Sequence, residues 1–283
     1  MSESPTLLIG IGAQKAGTTW IARYLDDHPE VFMSPIKELH FFDARHRPDL
    51  HGQFDNMFVE RLDSEVMSYV KKRTRESYER FLASNYRVRM IGERVYYTRL
   101  FEELRGSRKV CCEITPSYAT LSEDAFTEMR KLFPRVKILF IMRNPVDRIW
   151  SSIRHEARLG GQTPMADAMC KALNTPGTWL RSDYGRTLTQ LKEAFPPEDI
   201  HIDFYENLFQ PQGVYRLCDF LNISRRPANV EVRVNQSAPA ELDDTARKPV
   251  FQALRHNYVH IANSYPKSIP QNWLDDMTRL DRL

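Results

Sequence analysis

Short apolar runs alternate along this chain with stretches whose apolar residues recur at helical spacing. "TLLIGI" (6–11) is an apolar run ending beside a glycine turn, "KVCCEI" (109–114) is a second, and "VKILFIM" (136–142) is the strongest. "DIHIDFY" (199–205) alternates apolar with polar positions, and "VEVRV" (230–234) does so more briefly. These five runs predict strands. Between them the period changes. Thr18 to Leu25 sets Ile21, Tyr24 and Leu25 on one helical face, and Ser122 with Glu123 and Asp124 reads as a cap and acidic first turn of a helix closed by Pro134. Further helices are predicted over about Val146–His155, Tyr184–Phe195, Tyr215–Leu221 and Val250–Ser264. Strands alternating with helices predict an α/β protein with a central parallel sheet flanked by helices.

One stretch, from about Ala44 to Arg108, breaks the alternation. It is charged and mostly helical in pattern, with Tyr69, Val70, Tyr78, Phe81 and Leu82 as inward positions. Its basic run "KKRTR" (71–75) reads as a solvated helix face rather than a contact for an acidic partner. No repeat, low-complexity tract or linker is visible. The 283 residues therefore read as a single domain, 1–283, carrying a helical insertion at about 44–108.

Composition narrows the function classes. A net charge of +3 suits an anionic ligand but is too small to argue for nucleic acid. The four cysteines, Cys111, Cys112, Cys170 and Cys218, have neither disulfide-framework nor metal-site spacing, which favours a reducing, cytoplasmic setting. No apolar run approaches the roughly 20 residues of a membrane span, and no leader is recognisable at "MSESPTLLIGIG". The acceptor triplets at Asn222 and Asn235 are accordingly read as chance.

The loop "GIGAQKAGTTW" (10–20) carries the first chemistry. Gly12 and Gly17 have the spacing of a G-x-x-x-x-G-K-[ST] loop, but Thr18 occupies the lysine position and Lys15 lies inside the turn. A strand, a glycine turn and a helix start present free N–H groups and a positive helix end to an anion, and Thr18 and Thr19 add hydroxyls. Lys15 would stand beside the group leaving or arriving at a single phosphate. A second cluster, "FIMRNPVDRIWSS" (140–152), sets Arg143 at a strand end, Asn144-Pro145 at a turn, and Ser151 and Ser152 in the following helix. Arg143 and a helical serine can converge on a second phosphate. Both clusters fall at carboxyl ends of parallel strands, where open α/β sheets bind ligands.

"QKAGTTW" with "RNPVDRIWSS" resembles the paired donor motifs of the sulfotransferases that use 3′-phosphoadenosine 5′-phosphosulfate (PAPS). "SPIKELHFFD" (34–43) resembles the P-K-E-x-x-F-F segment of the heparan-sulfate-type branch, and "EITPSY" (113–118) its E-K-[ST]-P-x-Y. "DYGRTLTQLKEAFPPEDIHIDFYENL" and "LCDFLNI" are similar to the downstream run of bacterial and carbohydrate members. The resemblance implies a P-loop-like three-layer fold and transfer of a sulfuryl group from PAPS to a hydroxyl or, less readily, an amine. It implies no metal, and an acceptor that is a small molecule, lipid or glycan. Donor residues carried over are Gln14, Lys15, Ala16, Gly17, Thr18, Thr19 and Trp20, with Arg143 and Ser151 at the 3′-phosphate.

Catalytic candidates are Lys15, Glu38 and His40. The resemblance points to Glu38 as the base. Alternate residues of an extended segment after Ser34-Pro35 would share a side, which makes His40 an orienting or packed neighbour. Two departures bear on the acceptor and donor. Ile114 stands where the branch has lysine, arguing against a polyanionic acceptor, and Pro249 follows Arg247-Lys248 where the family has glycine, so that pair is not counted. Ala194 replaces a common tryptophan, a packing change. Glu113 is left between positioning the acceptor and holding Lys15. Phe41, Phe42, Tyr96, Tyr97 and Tyr118 read as core, and His256 and His260, spaced i, i+4, lack a third ligand for zinc. A nucleotide-dependent phosphotransferase would need a lysine at position 18, and a non-catalytic nucleotide-binding protein would not need Lys15 and Glu38 together.

Overall fold

The computed structural model describes residues 4–161, 168–229 and 242–282. Five strands, β1 (Thr6–Gly12), β2 (Val31–Met33), β3 (Val110–Ile114), β4 (Arg135–Met142) and β5 (Ile200–Phe204), form one sheet in the order β2-β3-β1-β4-β5. Every pairing is parallel, and β1 lies at the centre, with Thr6 opposite Val110 on one side and Arg135 on the other. Leu7, Leu8, Ile9 and Ile11 of β1 are buried on both faces, which is why the strand reads as an unbroken apolar run.

Helices fill the connections. α1 (Thr18–Asp26) follows β1, and α2 (Phe41–His46), α3 (Pro48–His51), α4 (Gln53–Lys72), α5 (Arg75–Arg89) and α6 (Val95–Leu104) lie between β2 and β3. α7 (Glu123–Arg130) precedes β4. Next come α8 (Pro145–Leu159), α9 (Ala168–Leu173), α10 (Pro176–Leu180) and α11 (Tyr184–Ala194). After β5 come α12 (Tyr205–Leu208), α13 (Pro211–Leu221), α14 (Asp244–Ser264) and α15 (Gln271–Leu280). The α/β architecture expected from the pattern is the one observed. Among the described residues no helix is long and apolar enough to cross a membrane.

Several local expectations change. The fifth strand is β2, whose three residues are too few to carry a period, whereas the run 230–234 lies outside the described residues. Helix α7 ends at Arg130, before Pro134, and the Ser122 side chain makes no cap bond; Gln190 Oε1 instead accepts from the Glu123 amide at 2.8 Å. Val70 and Tyr78, expected inward, are exposed. The α4–α5 interface is partly ionic: Glu65 is buried and bridged by Arg80 at 2.6 Å and Arg61 at 3.1 Å. Tyr69 and Phe81 stack beside it with ring centroids 5.9 Å apart. Val70, about 100° further round the helix than Tyr69, then faces water.

Candidate active site

β1 is clamped by a strand on each side and delivers the chain to Gly12 at φ +142, where a side-chain Cβ would lie 2.9 Å from the Pro116 carbonyl oxygen. Only glycine fits that turn. Gln14, Lys15 and Ala16 follow, Lys15 with φ +68, and the turn closes as the Ala16 amide donates to the Ala13 carbonyl at 3.1 Å. Gly17, at φ +80, occupies the cap position of α1 and offers no side chain to its first N–H groups. With no side chain capping them, the amides at the very start of the helix are available to an anion. Thr18 is buried, and the Thr19 hydroxyl accepts from Lys37 Nζ at 3.1 Å. Trp20 is buried edge-on against Phe209 and borders a cavity of about 410 Å³ shared with Arg23, Tyr24 and the segment 226–229. Burial, followed by the charges of Arg143, Arg158 and Lys37, pushes the Lys15 ammonium down to about 8. Only the Glu156 charge opposes them, and among the described residues Lys15 makes no ion pair; a lysine held among cations in this way marks a site suited to an anion.

Arg143 follows directly on β4. Its Nη1 donates to the Lys15 carbonyl at 2.8 Å and its guanidinium carbon stands 4.4 Å above the Tyr205 ring, so it braces the loop as well as lining it. The turn that presents it is fixed by Asn144, fully buried at the start of α8. The Asn144 side-chain oxygen accepts from the Val146 and Asp147 amides and from the Tyr258 hydroxyl at 2.8 Å, while its nitrogen donates to Asp276 at 2.9 Å. Ser151 lies half-buried two turns into α8. Arg154, one turn beyond, feels the Arg143 charge and is lowered mainly by burial, a second cation that no sequence pattern singled out. Arg247 is already engaged, donating to Asp147 at 2.8 Å and Asp276 at 2.6 Å.

The segment after β2 differs from the extended strand expected. Glu38 (φ +59) and His40 (φ +48) both adopt the left-handed region, and it is these two kinks that bring their side chains together. Glu38 Oε2 lies 3.5 Å from His40 Nε2, and Lys37 Nζ lies 3.4 Å from Glu38 Oε1. His40 Nδ1 meets Asp43 Oδ2 at 2.7 Å, Ser117 donates to the same carboxylate, and the imidazole stacks on Phe54 with centroids 3.6 Å apart. A continuous line of contacts thus runs from Thr19, at the start of α1, through Lys37, Glu38 and His40 to Asp43. Burial alone would raise the Glu38 and Asp43 carboxyls, but His40 outweighs it and both are lowered, with Lys37 also acting on Glu38 and Ser117 on Asp43. Burial would likewise lower His40, yet Asp43 and Glu38 outweigh it and raise the imidazole. Asp43, Ser117 and Phe54 were not legible as site residues; "HFFD" shows a helix start, not a buried carboxylate.

Glu113 holds neither Lys15 nor a surface position. It is buried at the end of β3, bonded by the Tyr97 hydroxyl and by Thr115 Oγ1 at 3.1 Å, and burial pushes it up to about 7. Phe41, Phe42, Tyr96, Tyr97 and Tyr118 are core, as their spacing indicates. Among the described residues no cluster of three or more His, Cys, Asp and Glu is placed to hold a metal ion.

The sequence matches the profile of the sulfotransferase family over residues 6–227. No curated protein matches it. Among solved structures, a sulfotransferase from Alicyclobacillus acidocaldarius superimposes with a TM-score of 0.64 at 20% identity, covering 96% of this chain and 99% of that one. The sulfotransferase domain of the Synechococcus PCC 7002 olefin synthase superimposes at 0.52 with 15% identity, covering 95% and 96%. At these identities the two structures speak for the fold.

Proposed function

The chain belongs to the sulfotransferase family, and from that premise we propose that it moves a sulfuryl group from PAPS to the hydroxyl of a small-molecule, lipid or glycan acceptor. The observation that carries the proposal is the unbroken contact line from Thr19 through Lys37 to Glu38, His40 and Asp43, which joins an anion cradle to a proton acceptor. The cradle's charge fits the donor: the charges of Arg143 and Arg158 act on Lys15 there, and no side chain caps the start of α1 beside it. Gln14 to Trp20 would hold the 5′ end of the nucleotide, and Arg143 and Ser151 its 3′-phosphate. The donor supplies the sulfuryl group and a phosphate oxygen that gains charge as the S–O bond breaks.

Lys15 and the α1 amides stabilise that charge, a preorganised electrostatic contribution that replaces a metal. Glu38 takes the proton of the acceptor hydroxyl as its oxygen bonds to sulfur. His40 is unsuited to that task. Its Nδ1 is engaged by Asp43 at 2.7 Å and its Nε2 faces Glu38 at 3.5 Å, so both ring nitrogens are turned to carboxylates, which raise the imidazole and favour its protonated, donating form. It orients Glu38 instead. Free Cys111, Cys112, Cys170 and Cys218 support a cytoplasmic setting. Isothermal titration with the desulfated 3′,5′-bisphosphate nucleotide, against ATP with magnesium, tests the reading: tight binding of the first and none of the second is expected. Preference for ATP with magnesium would overturn it.

A further inference from the structure

Arg181 is the first residue after α10, and its side chain is only partly exposed. Among the described residues its guanidinium makes no hydrogen bond or ion pair, and its Nε is buried without a partner. Its neighbour in sequence is handled quite differently: Ser182, fully buried, accepts from Arg148, whose guanidinium also donates to the Thr178 carbonyl. Burying an arginine without a paired counter-charge is costly, and an unsatisfied buried donor calls for a partner, a bound anion among them.

The position of Arg181 identifies the ligand. α10 packs on the short turn 116–120 that carries Ser117, and the carboxylates whose charges reach Arg181 are Asp43, Glu156 and Glu38. Two of these belong to the relay that is to take the acceptor's proton, yet among the described residues none pairs with the guanidinium. A second unpartnered nitrogen lies near the same relay, on His51, whose ring stands 6.2 Å from that of His40. His51, buried against Phe54, has an Nε2 without a partner and feels the charge of Arg181. Burial pushes His51 down to about 4, so the ring is neutral.

We infer that Arg181, assisted by His51, binds an anionic group on the acceptor, so that the acceptor is a hydroxy compound carrying a carboxylate or phosphate. This rests on the sulfuryl-transfer reading and names its substrate class. A single guanidinium suits one anionic group, in keeping with Ile114, apolar and buried where the resembled branch has a cation. Arg181 acts on affinity and orientation; the proton still goes to Glu38.

The test compares matched phenolic acceptors, 4-hydroxyphenylacetate and 4-methylphenol, with PAPS as donor, in the wild type and in Arg181→Gln and Arg181→Lys. The wild type should favour the carboxylate. Arg181→Gln should raise KM for it by about tenfold to a hundredfold, the scale of a lost charged hydrogen bond, leave the neutral phenol unchanged, and keep nucleotide affinity by calorimetry. Arg181→Lys should recover part of the loss. An equal rise for both acceptors would overturn the assignment, and so would a fall in nucleotide affinity, which would place Arg181 at the donor. A wild type that binds no bisphosphate nucleotide and transfers to neither phenol points instead at the underlying reading, whereas a wild type that transfers equally to both refutes the anionic class alone.

Discussion

Replacing Glu38 by Gln keeps the side chain's shape and removes its basicity, and turnover should fall by about 10²–10⁴, the range for a positioned general base. Replacing His40 by Ala should act differently. It removes the contact 3.5 Å from Glu38 and leaves Asp43 buried without its hydrogen-bonded imidazole. A hydrogen bond to a charged group contributes about 1.5–3 kcal/mol, up to about a hundredfold in rate, and since Glu38 is a third exposed the loss should lie near the tenfold end. The pH profile separates the two roles. A carboxylate base works only when ionised, so the rate falls as pH drops through its pKa. His40 holds Glu38 below the ordinary range against the opposing effect of burial; without it the carboxyl rises and the acidic limb moves to higher pH. Asp43→Asn should move the limb the same way by less. The assay is release of the desulfated nucleotide under saturating donor, from acid to neutral pH. A Glu38→Gln enzyme near full activity with a dead His40→Ala enzyme would reverse the roles. An acidic limb that stays fixed or moves down in His40→Ala would refute the electrostatic argument.

Lys15→Ala should lower turnover by about 10²–10³ while affinity for the desulfated nucleotide falls far less, because the charge it stabilises develops during transfer; single-turnover rates and calorimetry measure the two. In the wild type, nucleotide affinity should weaken as pH rises through about 8, where the free Lys15 loses its proton, and a flat profile would count against its place in the cradle. Arg143→Ala should weaken the 3′,5′-bisphosphate by about 1.5–3 kcal/mol and the 5′-monophosphate by less, the shared part reflecting the lost bond to the Lys15 carbonyl. Asn144→Ala removes a cap contributing about 1 kcal/mol, takes away the Tyr258 hydroxyl's acceptor and removes one of the donors to Asp276, so the urea midpoint should fall by more than a cap alone explains.

What was legible in the sequence follows how local its physics is. The buried strands declare themselves because β1 and β4 are covered on both faces and need apolar residues throughout. Gly12 and Gly17 are legible because their backbone angles demand glycine. β2 escaped because three edge residues carry no period. Glu38 and His40 were rightly paired in space by a wrong route, since two left-handed residues and not strand alternation bring them together. Asp43, Ser117 and Arg181 could not be found at all. Their character comes from burial and from partners far along the chain, and an aspartate beside two phenylalanines gives no sign of it. Val70 and Tyr78 failed for the converse reason: Glu65, a charged residue, took the inward position that apolar residues were expected to fill.

The central place of β1 also governs when the site comes into being. Thr6 is made well before its partners, Val110 and Arg135. Until both β3 and β4 have left the ribosome, β1 is an apolar segment with two open edges, the kind of species that aggregates or recruits chaperones. Its pairing is non-local throughout, which makes closure slow relative to helix formation. The Gly12–Gly17 turn, the Arg143 brace and Ser117 sit at the ends of these three adjacent strands, so they acquire their geometry together. Expression yield should therefore respond more to temperature and chaperone supply than to the sequence of the helices. Any fragment ending before β4 should lack the nucleotide site altogether, however much of α1 to α6 it retains.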